Sequence, residues 1–365
     1  MSLKAGIVGL PNVGKSTLFN AITKKNILVA NYPFATIDPN VGIVTVPDER
    51  LSKLEEIYIP EEVKPATYEF VDIAGIVKGA SNGEGLGNKF LSHIREVDAI
   101  CEVVRCFENK EITHVEGTVD PIRDIEIINL ELALADLEII NNRLDKIKKK
   151  AETTKDKDAL IEVDALLKSK EALEKNVPLR LISYTDEELF AIKSYNLLTL
   201  KPHIYLANIS EDDILSGNEY VEKVKEYANK ENSKVVMVSA KIESELAELN
   251  DDDKLEMLHD LGIEKSGLDK LVEATYDLLG LKTYFTCGPK EVKAWTYKDG
   301  MNAKACAGII HSDFEKGFIK AEVIAYKDLI ECGSELKVKE NGKFRIEGKE
   351  YLMQDGDICH FRFNL

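Results

Sequence analysis

A glycine-rich segment near the start of the chain has the residue types and the spacing that hold a nucleoside triphosphate. Residues 9–16 read GLPNVGKS and match the phosphate-binding pattern G-x-x-x-x-G-K-[ST], between a short apolar strand and a helix. In such a loop, backbone N–H groups point at the phosphates, the lysine neutralises the β and γ oxygens, and the serine hydroxyl ligates Mg²⁺. We predict phosphate contacts from Gly9, Asn12, Val13, Gly14, Lys15, Ser16 and Thr17.

A strand-end carboxylate and a threonine complete the pattern of a metal–phosphate site. Asp72 follows the apolar strand at residues 67–71 and opens the sequence DIAG, in which the carboxylate supports Mg²⁺ and the N–H of Gly75 meets the γ-phosphate. Thr36 lies between the two motifs, where it can complete the coordination of Mg²⁺. We therefore predict Ser16 and Thr36 as metal ligands, and a glycine-rich segment after Gly75 that a nucleotide would order.

Hydrolysis at this site is expected to be slow. Ile76 stands where water-activating switch proteins commonly place glutamine, and an isoleucine cannot orient the attacking water. His114, in the loop at residues 111–117, is one candidate for a replacement, although a loop histidine is more often merely solvated. Lys15 stabilises charge on the transferred phosphoryl group. The predicted catalytic residues are therefore His114 and Lys15.

The base-binding part departs from that of a guanine-specific protein. A guanine site carries N-K-x-D, whose aspartate accepts hydrogen bonds from N1–H and the 2-amino group, and [NT]-K-x-D occurs nowhere in the chain. The expected place, after the strand at residues 203–207, reads NISE, and adenine gains nothing from a carboxylate there because its N1 is an acceptor. We predict relaxed or adenine-preferring binding, with ATP favoured and GTP weaker. The base contacts are expected from Asn208, Ile209, Ser210, Glu211, Ser239 and Ala240.

Alternating strands, helices and glycine-containing loops indicate an α/β sheet that carries these motifs. Its strands are expected at residues 4–8, 67–71, 98–105, 203–207 and 234–238. Between the third and fourth of these, apolar residues recur at helical spacing on both sides of a charged break at residues 151–158, which predicts an antiparallel helical hairpin. We favour a projecting insert over a helix pair packed within the main domain, because the apolar stripes are narrow.

Composition excludes several classes of protein. The 365 residues carry a formal net charge of −17, which argues against a protein held on nucleic acid by its overall charge, although residues 281–365 alone are close to neutral. The six cysteines form no C-x-x-C pair, as expected of thiols in a reducing compartment. The chain has no apolar run of membrane-spanning length, and because the first strand comes almost at once we expect no leader sequence. We expect a cytoplasmic protein with neither DNA nor a membrane as a partner.

Taken together, the motifs resemble those of the YchF/Obg-like ATPases, P-loop proteins of the translation-factor class that favour ATP over GTP. The resemblance lies in residues 9–16, in FATI at 34–37, in DIAG at 72–75, in NISE at 208–211 and in GIIHSDFEKGFIKAE at 308–322, which is typical of a small TGS domain. It implies an α/β, P-loop G domain of residues 1–125 and 198–280, an α-helical hairpin insert of residues 126–197, and a β-grasp-like TGS domain of residues 281–365.

The resemblance also implies roles for single residues and a partner. Ile209 would contact adenine through its backbone, and His114 would activate water. The partner would be the ribosome or another RNA-containing component of translation. Asn12 in the phosphate loop suggests that the site needs K⁺ in addition to Mg²⁺. Two alternatives stay open, which are a GTPase of the Obg-related class and a nucleotide-gated binding protein with negligible hydrolysis.

Overall fold

The computed structural model describes residues 3–27, 40–73, 86–154 and 156–364. Thr36, Gly75 and Ile76, and with them much of the expected switch segment, lie outside these residues. The chain divides into two compact units. The first comprises Met1–Ile43 and Glu69–Leu271, and the second comprises Val44–Tyr68 and Val272–Leu365.

Strands and helices alternate along most of the described chain. The strands, in chain order, are β1 (Lys4–Val8), β2 (Val41–Thr45), β3 (Glu62–Lys64), β4 (Thr67–Asp72), β5 (Ala99–Arg105), β6 (His203–Asn208), β7 (Lys234–Val238), β8 (Leu281–Cys287), β9 (Glu291–Lys298), β10 (Phe318–Ala325), β11 (Arg345–Glu347) and β12 (Asp357–Phe363). The helices are α1 (Lys15–Ile27), α2 (Arg50–Tyr58), α3 (Leu86–Arg95), α4 (Pro121–Thr154), α5 (Lys157–Glu174), α6 (Asp186–Ile192), α7 (Glu219–Lys230), α8 (Ala240–Leu246), α9 (Asp251–Asp260), α10 (Gly267–Leu278), α11 (Ala303–Ile310), α12 (Ser312–Lys316), α13 (Tyr326–Cys332) and α14 (Glu335–Glu340). Over the described ranges, no helix is both long and apolar enough to cross a membrane.

The first unit is built on a six-stranded sheet with the order β2-β4-β1-β5-β6-β7. From β4 to β7, neighbouring strands are parallel. Every residue of β5 and β6 is buried, as expected of parallel strands covered on both faces. The expected α/β fold is confirmed. In an open sheet of this kind, ligands bind at the carboxyl ends of the strands, at the point where the strand order reverses. Here that point is the end of β1, which has β4 on one side and β5 on the other.

Two long helices of the first unit form the helical pair that the sequence predicts. The first turns of α4 pack on the sheet, where Ile125 is buried beside Val104, and its later turns share a separate apolar core with α5 that includes Ile140 and Leu166. Helix α4 continues through the charged stretch to Thr154 and α5 begins at Lys157, so the helices cover most of the break expected at residues 151–158. Helix α4 thus belongs both to the sheet and to the hairpin.

The second unit is built on a mixed sheet with the order β11-β10-β12-β8-β9-β3. Its core is rich in aromatic side chains and includes Tyr284, Tyr297 and Phe361. The sequence pattern of residues 281–365 indicates strands and turns, and it misses helices α11–α14, which are too short to give a strong periodic signal. The unit also contains Val44–Tyr68, because β3 pairs with β9, far along the chain. This grouping differs from the predicted boundaries, which assign that segment to the nucleotide-binding domain.

Candidate nucleotide-binding site

The phosphate loop joins β1 to α1 at the carboxyl edge of the first unit's sheet. Strand β1 ends at Val8 and α1 begins at Lys15, so residues 9–14 turn the chain between them. Asn12 and Gly14 have positive φ angles of 64° and 98°, a backbone conformation that suits glycine and that asparagine tolerates. The loop therefore presents the N-terminus of a 13-residue helix, with its free N–H groups and positive dipole end.

Lys15 and Asp72 face each other beside this loop. The ammonium group of Lys15 forms an ion pair with Oδ1 of Asp72, and the lysine is only 8% exposed. Asp72 ends β4, and its register with β1 sets it opposite Ile7. The two charges balance each other in a largely buried setting. A triphosphate bound here must draw the ammonium group from the carboxylate toward its own oxygens.

One asparagine ties the phosphate loop to the loops expected at the base. The side chain of Asn208, which is buried at the end of β6, donates through Nδ2 to the carbonyl of Val13 at 2.7 Å and accepts through Oδ1 from the N–H of Ala240 at 3.0 Å. The N–H of Ile209 donates to the carbonyl of Val238 at 2.9 Å. A contact between the backbone of Ile209 and a base therefore falls to its carbonyl group.

These elements enclose an open cleft of about 860 Å³. The predicted site residues that line it are Asn12, Gly14, Lys15, Ser16, Thr17, Asp72, Asn208, Ile209, Ser210, Glu211, Ser239 and Ala240. Gly9 and Val13 are buried instead, and Thr36 and Gly75 lie outside the described residues. The fold thus brings the phosphate loop, the strand-end carboxylate and the base loops, which are far apart in sequence, to one site.

Another wall of the cleft comes from residues 107–112, which the sequence pattern does not identify as site residues. Phe107, Asn109 and Ile112 line it, and Arg105 holds all three by donating to their carbonyl groups at 3.1, 3.3 and 3.1 Å. Arg105 ends β5 and is 1% exposed, and burial lowers its pKa. The available signal is an arginine that closes a strand whose other residues, apart from Glu102, are apolar.

Charged side chains that line the cleft already form ion pairs or hydrogen bonds within the protein. Oε2 of Glu211 lies 2.5 Å from Nζ of Lys241, which lines the cleft beside Ala240. A second carboxylate in the lining, that of Glu108, accepts a hydrogen bond from the hydroxyl of Tyr220 at 2.6 Å. The hydrogen bond with Glu211 raises the pKa of Lys241, so the ammonium group stays charged.

The structure does not bring His114 into the cleft lining with Lys15. Its ring is buried, with Nε2 at 2.8 Å from Oδ2 of Asp124, while Nδ1 accepts from the N–H of Glu116 at 3.1 Å. Because Nδ1 is an acceptor, Nε2 carries the proton and donates to Asp124. The guanidinium group of Arg123 binds the other oxygen of the same carboxylate at 3.0 Å. In this arrangement both ring nitrogens of His114 are engaged.

The donor set at the phosphate end fits a cation that is shared with a nucleotide. Ser16 is exposed, and it lines the same cleft as Asp72. Among the described residues, no group of three or more His, Cys, Asp or Glu side chains converges as a metal cage. Mg²⁺ at phosphate sites is commonly held by one or two protein oxygens together with water and the phosphates, so the two side chains suit that mode of binding.

Comparisons with known proteins agree over the whole chain. Residues 4–143 match the profile of the MMR_HSR1 family, described as a 50S ribosome-binding GTPase, and residues 281–364 match the profile of the YchF-GTPase C-terminal family, described as a protein of unknown function (DUF933). The chain is 60% identical to the "Ribosome-binding ATPase YchF" of Bacillus subtilis and 52% identical to that of Escherichia coli O157:H7, with all of each chain covered.

A solved structure gives the same result. The YchF GTPase of Schizosaccharomyces pombe is 44% identical to this chain and superposes with a TM-score of 0.90, covering 99% of this chain and 98% of its own. At this identity and coverage, the likeness extends beyond the nucleotide-binding fold to the C-terminal part.

Proposed function

The chain belongs to the YchF family, and on that premise we propose that it is a Mg²⁺-dependent ATPase that prefers ATP to GTP and acts on the ribosome in the cytoplasm. One observation carries the proposal. A single cleft is lined at one end by the phosphate loop around Lys15 and at the other by Asn208–Glu211 and Ala240, with no N-K-x-D aspartate to read guanine.

The phosphate end supports binding of ATP with Mg²⁺. Lys15 would leave Asp72 for the β and γ oxygens, and the N–H groups at the start of α1 would bind the phosphates. Ser16 and Asp72 fit a bound Mg²⁺, directly and through water, and Thr36 is proposed as a further ligand. The metal would supply charge neutralisation between the β and γ phosphates. Asn12 makes K⁺ a further candidate ion at this loop.

Slow hydrolysis is part of the proposal. His114 is proposed to activate water, and its ring would first have to leave the buried pair with Asp124. That step adds a conformational cost before chemistry, which supports a low basal rate and acceleration by a partner that moves the loop.

The partner is proposed from the relatives. The curated relatives are named ribosome-binding ATPases, and residues 281–365 are proposed to act as a TGS domain in that contact. Two alternatives remain, which are a GTPase and a nucleotide-gated binding protein that scarcely hydrolyses. The GTPase alternative is favoured by two of the similarities, because both the family matched by residues 4–143 and the S. pombe protein are described as GTPases.

Phosphate release and co-sedimentation test the enzyme and the partner together. Purified protein with ATP and Mg²⁺ should release phosphate slowly, release it faster with ribosomes, and pellet with ribosomes in a manner that depends on the nucleotide. If no phosphate is released even with ribosomes, the ATPase is excluded and the protein is a nucleotide-gated binding protein. If the protein does not pellet with ribosomes in the presence of any nucleotide, the ribosome is not its partner.

A further inference from the structure

Two of the carboxylates that line the cleft, those of Glu211 and Glu108, are held by other side chains. Oε2 of Glu211 is paired with the ammonium group of Lys241 at 2.5 Å, and Oε1 of Glu108 accepts from the hydroxyl of Tyr220 at 2.6 Å. Glu211 stands at the fourth position of the NISE segment, where a guanine-specific site has its aspartate. The question is therefore what keeps this carboxylate from reading guanine.

Guanine and adenine place opposite demands on that carboxylate. Guanine presents two donors, N1–H and the 2-amino group, which a free carboxylate can accept together, whereas adenine presents the N1 lone pair and no 2-amino group. An ammonium group bound to the carboxylate competes for its lone pairs and offsets its charge. A carboxylate engaged in this way loses most of its attraction for guanine and becomes less repulsive to adenine N1.

We infer that Lys241 is a base-specificity residue, and that its ion pair with Glu211 withdraws from the cleft the carboxylate that would otherwise bind guanine. The inference rests on the proposed function, in so far as the cleft binds a purine nucleotide. It assigns the discrimination to two residues from separate segments, Glu211 after β6 and Lys241 at the start of α8, and not to the longer side chain of Glu211 alone.

The backbone around the pair supports this role. Lys241 follows Ala240, whose N–H donates to the side chain of Asn208 at 3.0 Å, so the start of α8, which carries Lys241, is fixed to the segment that carries Glu211. Both members line the cleft, with Lys241 66% and Glu211 40% exposed at the side chain. An ion pair with that exposure is weak, and the expected effect on specificity is accordingly moderate.

Binding of three nucleotides to the Lys241→Met variant tests the inference. The full chain is titrated with ATP, GTP and ITP in the presence of Mg²⁺. Release of Glu211 should tighten GTP binding about fivefold, the size of one net hydrogen bond, while ATP affinity stays within about twofold. ITP has N1–H but lacks the 2-amino group, so its gain should be smaller than that of GTP.

Two further variants separate this effect from a general loss of charge. Lys225→Met removes the same charge from α7, where Lys225 pairs with Glu222, and should leave the ratio of the ATP and GTP affinities unchanged. Adding Glu211→Gln to Lys241→Met should abolish the gain in GTP affinity, because the freed carboxylate is gone. ATP affinity reports in each variant that the cleft is intact.

The inference is overturned if Lys241→Met leaves the ratio of the two affinities at its wild-type value, or if GTP affinity rises equally in the double variant. The proposed function fails separately. If the wild-type protein binds GTP as tightly as ATP, the preference for ATP is wrong, whereas the role of Lys241 depends only on the change of the ratio between variant and wild type.

Discussion

The side-chain amide of Asn208 occupies the space in which a β-carbon on Gly14 would lie. The same amide nitrogen donates to the carbonyl of Val13, and the amide oxygen accepts from the N–H of Ala240. A single buried side chain therefore sets the distance between the phosphate loop and the start of α8, which carries Lys241. The glycine at position 14 is needed for this contact as well as for its positive φ angle.

Gly14→Ala is expected to abolish tight ATP binding. The new methyl group would overlap Nδ2 of Asn208 and push the phosphate loop away from the start of α8. We expect ATP affinity to fall at least about a hundredfold, because both a steric clash and a buried hydrogen bond are involved. The matched control is Gly300→Ala, which also has a strongly positive φ of 84° but open space around the β-carbon, and which should lose some stability without losing ATP binding. Isothermal titration measures both, and equal affinities for the two variants would refute the steric role of Asn208.

Arg105→Met is expected to weaken both ATP binding and the fold. Three carbonyl groups of the loop at residues 107–112 would lose their buried donor, at a cost of about 3 kcal/mol in the free energy of unfolding. Because that loop is a wall of the cleft, ATP affinity should fall about tenfold. Arg105→Lys keeps the charge but cannot donate to all three carbonyl groups. Its ATP affinity and its free energy of unfolding should therefore lie between those of the wild type and of Arg105→Met. Urea unfolding and nucleotide titration check the prediction, which fails if Arg105→Met binds ATP as the wild type does.

Asp124→Asn is expected to raise the basal ATPase rate if His114 activates water. The amide can still accept from Nε2 of His114, but without the charge, so the ring leaves its buried position more easily. We expect kcat without ribosomes to increase about threefold to tenfold, and His114→Ala to abolish the increase. Asp120→Asn, at an exposed carboxylate just before α4, is the control. A lower rate in Asp124→Asn would mean that Asp124 orients the histidine for catalysis instead of sequestering it.

Glu102→Gln is expected to stabilise the protein more at alkaline than at acid pH. Glu102 is fully buried with its Oε2 3.0 Å from Nε2 of His203, and burial raises the pKa of the carboxyl well above 4.5 and lowers that of the imidazole. Above about pH 4.5 the unfolded state loses the proton of Glu102, whereas the folded state keeps it up to its raised pKa. The contribution of Glu102 to the free energy of unfolding is therefore lost as pH rises from about 4.5 through the folded pKa.

Glutamine removes that loss while keeping the hydrogen bond. The free energy of unfolding of Glu102→Gln minus that of the wild type should therefore grow between pH 5 and pH 8, by about 1.4 kcal/mol for each unit by which the pKa is raised. The histidine is common to both proteins, so its own loss of stability below about pH 6.5 largely cancels. Glu256→Gln, at an exposed site on α9, should show no such trend. A difference that stays constant over this range would contradict the buried neutral carboxyl.

How far the sequence predicts the molecule depends on how local each signal is. The phosphate loop is a local pattern, since eight residues between a strand and a helix specify its turn, and the structure has it as expected. Asp72 and Asn208 could be placed because carboxyl ends of parallel strands meet at one edge of a sheet. These signals locate the cleft and most of its predicted lining.

What could not be predicted depends on long-range pairing. The partner of Glu211 is Lys241, thirty residues later at the start of α8, and no spacing rule connects the two. The place of β3 beside β9 joins segments even further apart, with a strand of only three residues. The pair of His114 with Asp124 is close in sequence, yet whether a loop histidine is solvated or buried depends on how the loop folds onto α4.

Competition between ATP and GTP for the wild-type cleft tests the central claim most directly. A fluorescent ATP analogue bound to the full-length protein with Mg²⁺ is displaced by each nucleotide in turn, at fixed salt and with K⁺ present. The account predicts that ATP displaces the probe at a concentration at least about tenfold lower than GTP does, the equivalent of about 1.4 kcal/mol of discrimination. Displacement by GTP at an equal or lower concentration would contradict it.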